Sequence, residues 1–258
     1  MECIVIAHRG SNKLAPQNTL PAFRQAIAEG TDGFETDVHL TKDGKLVICH
    51  NYTVDSTSDA SGQITSYTLA ELKMFDFGSY FSADFAGTPL PTLDEFLELT
   101  SAYGESVINI ELKSPKKSRL QMVRKTVEAV KKYGVLDRVI ISSFDTRILK
   151  AVKAVEPDCR TAFLYPTNKP AVHRFECIPF ITAKTIGADI IHPAYPFVTP
   201  LLVKTAHRLG LKVNVWTVDD EQTVRRMLRC GVDGIITNRP GKVKEYIAKF
   251  ENGNLQHK

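Results

Sequence analysis

Residues 33–40 read Gly-Phe-Glu-Thr-Asp-Val-His-Leu, and this pattern predicts a β-strand with two carboxylates near its end. Side chains alternate between the two faces of a strand, so Glu35 and Asp37 point to one side and Thr36 to the other. Two like charges held on one face repel each other and favour a cation between them. The stretch therefore predicts a strand that ends at a cation site.

Ionisable side chains also follow the strands predicted on either side of this one. His8-Arg9-Gly10 closes the preceding strand, and Glu111 and Lys113 repeat the alternation at the end of the next. Inward residues at the carboxyl ends of barrel strands meet on one face, so these side chains are expected to converge. Three neighbouring strand ends thus supply three carboxylates, a histidine and two cations.

Short β-branched runs alternate with longer segments of helical periodicity, which is typical of parallel strands joined by crossover helices. Eight strands are predicted, at residues 3–7, 33–40, 107–112, 139–143, 160–164, 189–192, 212–216 and 234–237. Helices are predicted at residues 20–29, 93–103, 120–133, 146–155, 178–187, 200–209, 221–229 and 241–250. Eight strand–helix pairs in 258 residues predict one α/β domain, a TIM (β/α)8 barrel spanning residues 1–258.

Residues 51–91 break this alternation. They are rich in Ser, Thr, Asp, Gly and aromatic residues, with one short helix predicted at 69–74. A small insertion of this length after strand 2 is more typical of a functional cap than of a passive loop. Just before it, Lys42-Asp43-Gly44-Lys45 predicts a tight turn, so residues 46–50 fold back as a hairpin and return His50 toward the carboxylates.

Composition limits the classes of function. The net charge of +4 is spread among acidic residues, and no basic patch with stacking aromatics indicates nucleic-acid binding. Five scattered cysteines, without a Cys-x-x-Cys pair, argue against a disulfide framework or a zinc site. The chain enters a strand without a leader, and no apolar stretch is long enough for a bilayer. We expect a cytoplasmic protein with no stable membrane insertion.

The three strand-end carboxylates suit a hard cation. Glu35, Asp37 and Glu111 offer only oxygen ligands, which Ca²⁺ and Mg²⁺ both prefer, and the choice between them depends on cavity size and ligand number. The alternative is that the first two are solvated residues at a strand rim. Glu111 weakens that alternative because it repeats the pattern one strand later.

Two histidines bracket the predicted cation site. His8 and His50 can divide the work of general acid and general base near neutral pH, and the sequence leaves open which does which. Arg9 and Lys113 beside them supply the positive charge that a phosphate needs. Together these groups predict phosphoryl-ester chemistry. His39 shares the face of Glu35 and is a candidate polar contact, whereas the other histidines are interpreted as structural or surface residues, namely His173, His192 and His207.

The chain resembles the bacterial glycerophosphodiester phosphodiesterases. The resemblance covers nearly its whole length, and the matching segments in chain order are residues 8–10, 15–20, 35–38, 41–44, 47–50, 69–72, 91–95, 111–113, 216–218 and 237–240. It implies a TIM barrel that hydrolyses glycerophosphodiesters to glycerol 3-phosphate and an alcohol with a divalent metal. It further implies a small-molecule substrate and a pocket-lining role for Trp216, although a core or rim aromatic is the alternative for that residue.

The same resemblance gives each candidate residue a role. It implies that Glu35, Asp37 and Glu111 are the metal ligands. It implies that His8 and His50 form the acid–base pair. It implies that Arg9 and Lys113 contact the phosphate.

Three positions depart from the family pattern. Gln17 stands where the family usually has Glu, and Asn51 and Asn238 stand where Asp is usual or frequent. None of these replaces a proposed ligand or proton carrier, but each removes a charge near one. A lysophospholipase D, a phosphodiesterase that releases a cyclic phosphate, a non-catalytic phosphodiester-binding barrel and a metal-dependent lyase therefore remain as alternatives. The oligomeric state, monomer or homodimer, is also open.

Overall fold

The computed structural model describes residues 3–115, 118–165 and 178–255. Within them nine strands form one sheet: β1 (Ile4–His8), β2 (Gly33–Leu40), β3 (Leu46–Ile48), β4 (Val107–Leu112), β5 (Val139–Ser143), β6 (Arg160–Leu164), β7 (Ile190–His192), β8 (Lys212–Val215) and β9 (Gly234–Thr237). Eight of these are parallel and close in the order β1-β2-β4-β5-β6-β7-β8-β9, with β9 paired to β1. The predicted TIM barrel is confirmed.

The α-helices lie between the strands as predicted, with small shifts at their ends. They are α1 (Leu20–Ala28), α2 (Leu69–Leu72), α3 (Leu93–Ser101), α4 (Arg119–Lys132), α5 (Thr146–Val155), α6 (Ile178–Thr185), α7 (Pro200–Arg208), α8 (Glu221–Cys230) and α9 (Pro240–Leu255). His173 lies outside the described residues. Within the described part of the chain, no helix combines the length and the apolar character needed to cross a membrane.

Capping residues explain where several helices begin. The Thr199 side chain accepts a hydrogen bond from Leu202 N, and Pro200 follows it in the first turn of α7, where a missing N–H costs nothing. Asp220 caps α8 in the same way through Thr223 N. These local signals fix the helix starts before any tertiary contact is made.

The strand side chains that face away from the barrel axis make the main core. Phe34 on β2 lies edge-on to Phe23 of α1 and to Phe96 of α3, with ring centroids 6.4 and 6.5 Å apart. All three rings are fully buried. Because this apolar packing lies between the strands and the helices, the inward positions at the carboxyl ends of the strands are left for polar residues.

The hairpin predicted after β2 is confirmed, with β3 antiparallel to residues 38–40. The following residues, 51–91, contain α2 and two 3₁₀ turns, Ile64–Ser66 and Ala83–Phe85. Helix α2 is shorter than predicted and is held by a capping box between Thr68 and Glu71. A separate buried cluster joins this segment to β3, made by Val47, Cys49, Val54, Ile64, Leu72, Phe77 and Leu90.

Candidate active site

A cavity of about 130 Å³ lies at the carboxyl ends of the barrel strands, and the predicted site residues meet there. Seven of them line it: His8, Arg9, Glu35, His50, Glu111, Lys113 and Trp216. The eighth, Asp37, contacts both Arg9 and Lys113. All eight residues that the sequence singled out are therefore in one place.

The three carboxylates form a compact buried cluster. Oxygen atoms of Glu35, Asp37 and Glu111 all lie within 4.8 Å of one another, and each residue is less than a tenth exposed. Burial and the neighbouring Asp37 raise the pKa of Glu111 to about 7 and also raise the pKa of Glu35. Burial acts in the same direction on Asp37, but Lys113 and Arg9 outweigh it and hold the pKa of Asp37 below its usual range.

Two cationic side chains partly neutralise the cluster. Lys113 Nζ lies 2.7 Å from Asp37 Oδ1 and 2.5 Å from Glu111 Oε1. Arg9 Nε lies 3.2 Å from Asp37 Oδ2, and its terminal Nη1 donates to Gln17 Oε1 at 2.7 Å. Three carboxylates against two cations leave room for more positive charge.

The turn after β1 depends on a glycine. Gly10 has a φ of +80°, and a Cβ there would lie 2.6 Å from the carbonyl carbon of Ala22 in α1. A side chain is excluded both by conformation and by space. This turn lets the Arg9 N–H donate to Glu35 Oε2 at 3.0 Å, so β1 positions a carboxylate of β2.

His8 and His50 are held in the same way by two asparagines. His8 Nδ1 lies 2.7 Å from Asn238 Oδ1, and His50 Nδ1 lies 2.7 Å from Asn51 Oδ1. An amide oxygen only accepts, so each Nδ1 carries the proton and each Nε2 keeps its lone pair. Burial lowers the pKa of His8 to about 3, and burial also lowers the pKa of the less enclosed His50. Both imidazoles are neutral at pH 7.

The positions that depart from the family pattern lie next to these groups. Gln17 accepts from Arg9, Asn51 from His50, and Asn238 from His8. Asn238 is itself oriented by Asp219, which accepts from its backbone N–H and from its side-chain amide. Each departure thus keeps the hydrogen bond and loses a negative charge beside a cation or an imidazole.

Trp216 follows β8 and lines the cavity from the opposite side. Its indole N–H donates to the carbonyl oxygen of His192 at 2.8 Å, and its ring meets Phe144 edge-on at 6.1 Å. His39 is placed differently: its Nε2 lies 3.4 Å from the His50 carbonyl oxygen and its ring contacts Tyr52. His39 therefore supports the segment that carries His50 and is absent from the cavity lining.

Sequence reasoning missed three polar residues at this site. Asn18 donates to Asp37 Oδ2 at 2.8 Å and fixes that carboxylate, a role for which its place in the segment 15–20 was the only signal. Asn109 and His192 line the cavity, and both are almost fully buried. Alternation along β4 places Asn109 on the face of Glu111, so that residue was open to prediction.

The donor set fits a divalent cation. Three carboxylate oxygens within 4.8 Å match the hard oxygen ligands that Ca²⁺ and Mg²⁺ take. The raised pKa values of Glu35 and Glu111 reflect crowded negative charge, which a cation would relieve. A closed barrel with this cluster, two cations and two neutral histidines belongs to the phosphodiesterases built on the TIM fold.

The comparisons with known proteins agree on one family. A model described as the Glycerophosphoryl diester phosphodiesterase family matches residues 8–242. A glycerophosphodiester phosphodiesterase from Caldanaerobacter subterraneus subsp. tengcongensis is 39% identical, over 96% of this chain and 99% of its own length. The chain belongs to the glycerophosphodiester phosphodiesterase family, so the predicted family and the predicted class of enzyme are confirmed.

Solved structures give the same result. A putative glycerophosphoryl diester phosphodiesterase from Silicibacter pomeroyi DSS-3 superimposes with a TM-score of 0.87 at 30% identity, over 96% of this chain and 93% of the other. A phosphodiesterase from Oleispira antarctica, solved in complex with the product sn-glycerol-3-phosphate, gives a TM-score of 0.86 at 29% identity, over 95% and 96% of the two chains.

Proposed function

We propose that this protein hydrolyses glycerophosphodiesters to sn-glycerol 3-phosphate and an alcohol, using one divalent cation and the two histidines. The observation that carries the proposal is the carboxylate cluster at the carboxyl ends of β2 and β4, with Arg9, Lys113, His8 and His50 around the same cavity. The product bound in the Oleispira antarctica relative supports the substrate class.

Glu35, Asp37 and Glu111 would hold the cation, Ca²⁺ or Mg²⁺. When bound there, a cation supplies Lewis-acid stabilisation of the negative charge that develops on the phosphoryl oxygens. Arg9 and Lys113 add to that stabilisation by contacting the remaining phosphate oxygens. Both side chains are already fixed by Asp37, so they are oriented before substrate arrives.

His8 and His50 carry the protons. Each presents an unprotonated Nε2, while its Nδ1–H is fixed by an asparagine. One histidine takes the proton of the attacking water, and the other, once protonated, gives a proton to the leaving alkoxide. Burial, which lowers the pKa of both groups, favours the neutral form that a base needs.

We also propose that residues 51–91 cap the site of a single barrel domain and contribute to its choice of head group. The Gln17 N–H donates to the Tyr80 hydroxyl at 3.1 Å, which ties the segment to the turn after β1. Tyr52 packs on His39 at the other side. Both tyrosines remain more than a third exposed, as residues at a cavity rim would be.

The direct test is an assay of glycerol 3-phosphate release. Glycerophosphocholine and glycerophosphoethanolamine are incubated with the enzyme in Ca²⁺, in Mg²⁺ and in chelator, and ³¹P NMR identifies the product. We expect glycerol 3-phosphate with a divalent cation and none in chelator. A cyclic phosphate would indicate attack by a substrate hydroxyl, faster release of choline from lysophosphatidylcholine would indicate a lysophospholipase D, and tight binding without product would indicate a binding protein.

Asn51→Asp is expected to shift one limb of the pH–rate profile to higher pH. The new carboxylate keeps the contact with His50 Nδ1 and can accept from the Ser56 hydroxyl, which now receives the Asn51 amide. Its negative charge stabilises the imidazolium and so raises the pKa of His50, by about one unit. The acid limb moves if His50 is the base, and the alkaline limb moves if it is the acid. A profile identical to wild type would show that His50 does not carry a proton.

A further inference from the structure

A histidine outside the proposed acid–base pair lies across the cavity from the carboxylates. His192 ends β7, and β7 is four strands from β2 in either direction around the eight-stranded barrel, so the two face each other. His192 is 0% exposed and lines the same cavity as Glu35 and Glu111. A molecule bound at the carboxylates therefore extends toward this side chain.

The protonation of His192 follows from its surroundings. Burial lowers its pKa to about 3, so the ring is neutral at pH 7 and carries one proton. The Asn214 side-chain Nδ2 lies 3.3 Å from His192 Nε2, and an amide nitrogen only donates. Nε2 is therefore the acceptor, and Nδ1 carries the proton.

Asn214 is held in this orientation by its packing. Its Oδ1 lies where a side chain on Gly234 would be, since a Cβ at that position would come within 2.6 Å of it. The amide oxygen thus points to β9 and the amide nitrogen to His192. The tautomer of His192 is set by a neighbouring strand rather than by solvent.

The Nδ1–H of His192 has no hydrogen-bond partner among the described residues. A buried donor without an acceptor is costly, and such groups in native structures call for an explanation. The other lining residues on this side are apolar: Leu164 and Ile236, with Trp216, whose N–H is already used by the His192 carbonyl. His192 therefore provides the unused hydrogen-bond donor of an otherwise apolar wall.

We propose that His192 Nδ1–H donates a hydrogen bond to a hydroxyl of the substrate's glycerol unit and so selects glycerol esters over esters that lack hydroxyls. This inference rests on the proposed function. With the phosphate at Arg9 and Lys113, the three-carbon unit crosses the cavity, its CH groups facing the apolar wall and a hydroxyl oxygen facing the imidazole. A neutral, non-titrating donor suits a neutral acceptor of this kind.

The test crosses two enzymes with two substrates. Wild type and His192→Leu are each assayed with glycerophosphocholine and with propylphosphocholine, which has the same phosphate and head group but no glycerol hydroxyls. Loss of the hydrogen bond is expected to lower kcat/KM about tenfold for His192→Leu with glycerophosphocholine. The same substitution is expected to change kcat/KM for propylphosphocholine by less than about twofold, because the two deletions remove one interaction. His192→Gln, which keeps an N–H donor, should retain part of the preference.

Equal losses on both substrates would overturn the inference, because they would show that His192 only shapes the barrel. Should His192→Leu fail to fold, ¹⁵N NMR of the histidine rings in the wild-type enzyme decides. Glycerol 3-phosphate should shift the Nδ1 signal of His192, and propyl phosphate should not; identical spectra with both would overturn it. Wild type that is inactive on glycerophosphocholine would contradict the proposed function instead, while the NMR comparison would still test His192.

Discussion

His8→Gln is expected to lower kcat for glycerophosphocholine by about 10²–10⁴-fold, the usual contribution of a positioned proton carrier. The glutamine side chain can reach Asn238 and fill most of the space, but it has no basic nitrogen in place of Nε2. KM should change little, since Arg9, Lys113 and the three carboxylates that bind the phosphate and cation stay intact. Steady-state kinetics at saturating cation would separate these two effects.

His50→Gln should behave like His8→Gln, and the double variant should lose little more than either alone, because the two residues serve one proton-transfer sequence. His207→Gln is the matched control. His207 is paired with Asp233 at 2.7 Å on α7, is absent from the lining of the catalytic cavity, and loses only a partly exposed ion pair. A full kcat in His8→Gln would remove His8 from the mechanism, and equal losses in all three variants would point to instability.

The barrel could be predicted from the sequence because its signals are local. β-Branched runs mark the strands, and caps such as Thr199 and Asp220 mark helix starts, so the eight strand–helix pairs could be counted without tertiary information. Alternation along β2 and β4 was enough to put three carboxylates on inward faces. The element ends were less exact: β8 stops at Val215, and only an isolated bridge between Ala194 and Trp216 continues its pairing.

The parts of the site that could not be predicted depend on closure of the barrel. Asn238 reaches His8 across 230 residues of chain, and this contact exists only because β9 pairs with β1. His192 faces the carboxylates only because β7 closes opposite β2. Sequence patterns at β7 show a histidine at a strand end but give no sign that its Nδ1 lacks a partner. Such a residue is interpreted from sequence as structural, which is how His192 was first assigned.

Glu111→Gln is expected to weaken binding of the divalent cation by about 100-fold or more, since removing one partner from a buried charge cluster costs about 3–5 kcal/mol. The substitution keeps the size of the side chain and removes one of the three negative charges. It also leaves Lys113 with Asp37 alone, so the site becomes more positive before any cation arrives. Calorimetric titration with Ca²⁺ and Mg²⁺ measures the loss without reference to activity.

The same variant should lose the thermal stabilisation that a bound cation gives. In wild type, a cation at about 100 times its Kd should add about 2.7 kcal/mol to the free energy of unfolding, because it binds only the folded site. Glu156→Gln is the matched control: Glu156 is buried and paired with Lys131, at the end of α5 and absent from the cavity lining. That variant should lose stability with or without cation yet keep the full shift in Tm on adding it. An unchanged cation affinity in Glu111→Gln would place the cation elsewhere and leave the raised pKa of Glu111 as a consequence of burial beside Asp37 alone.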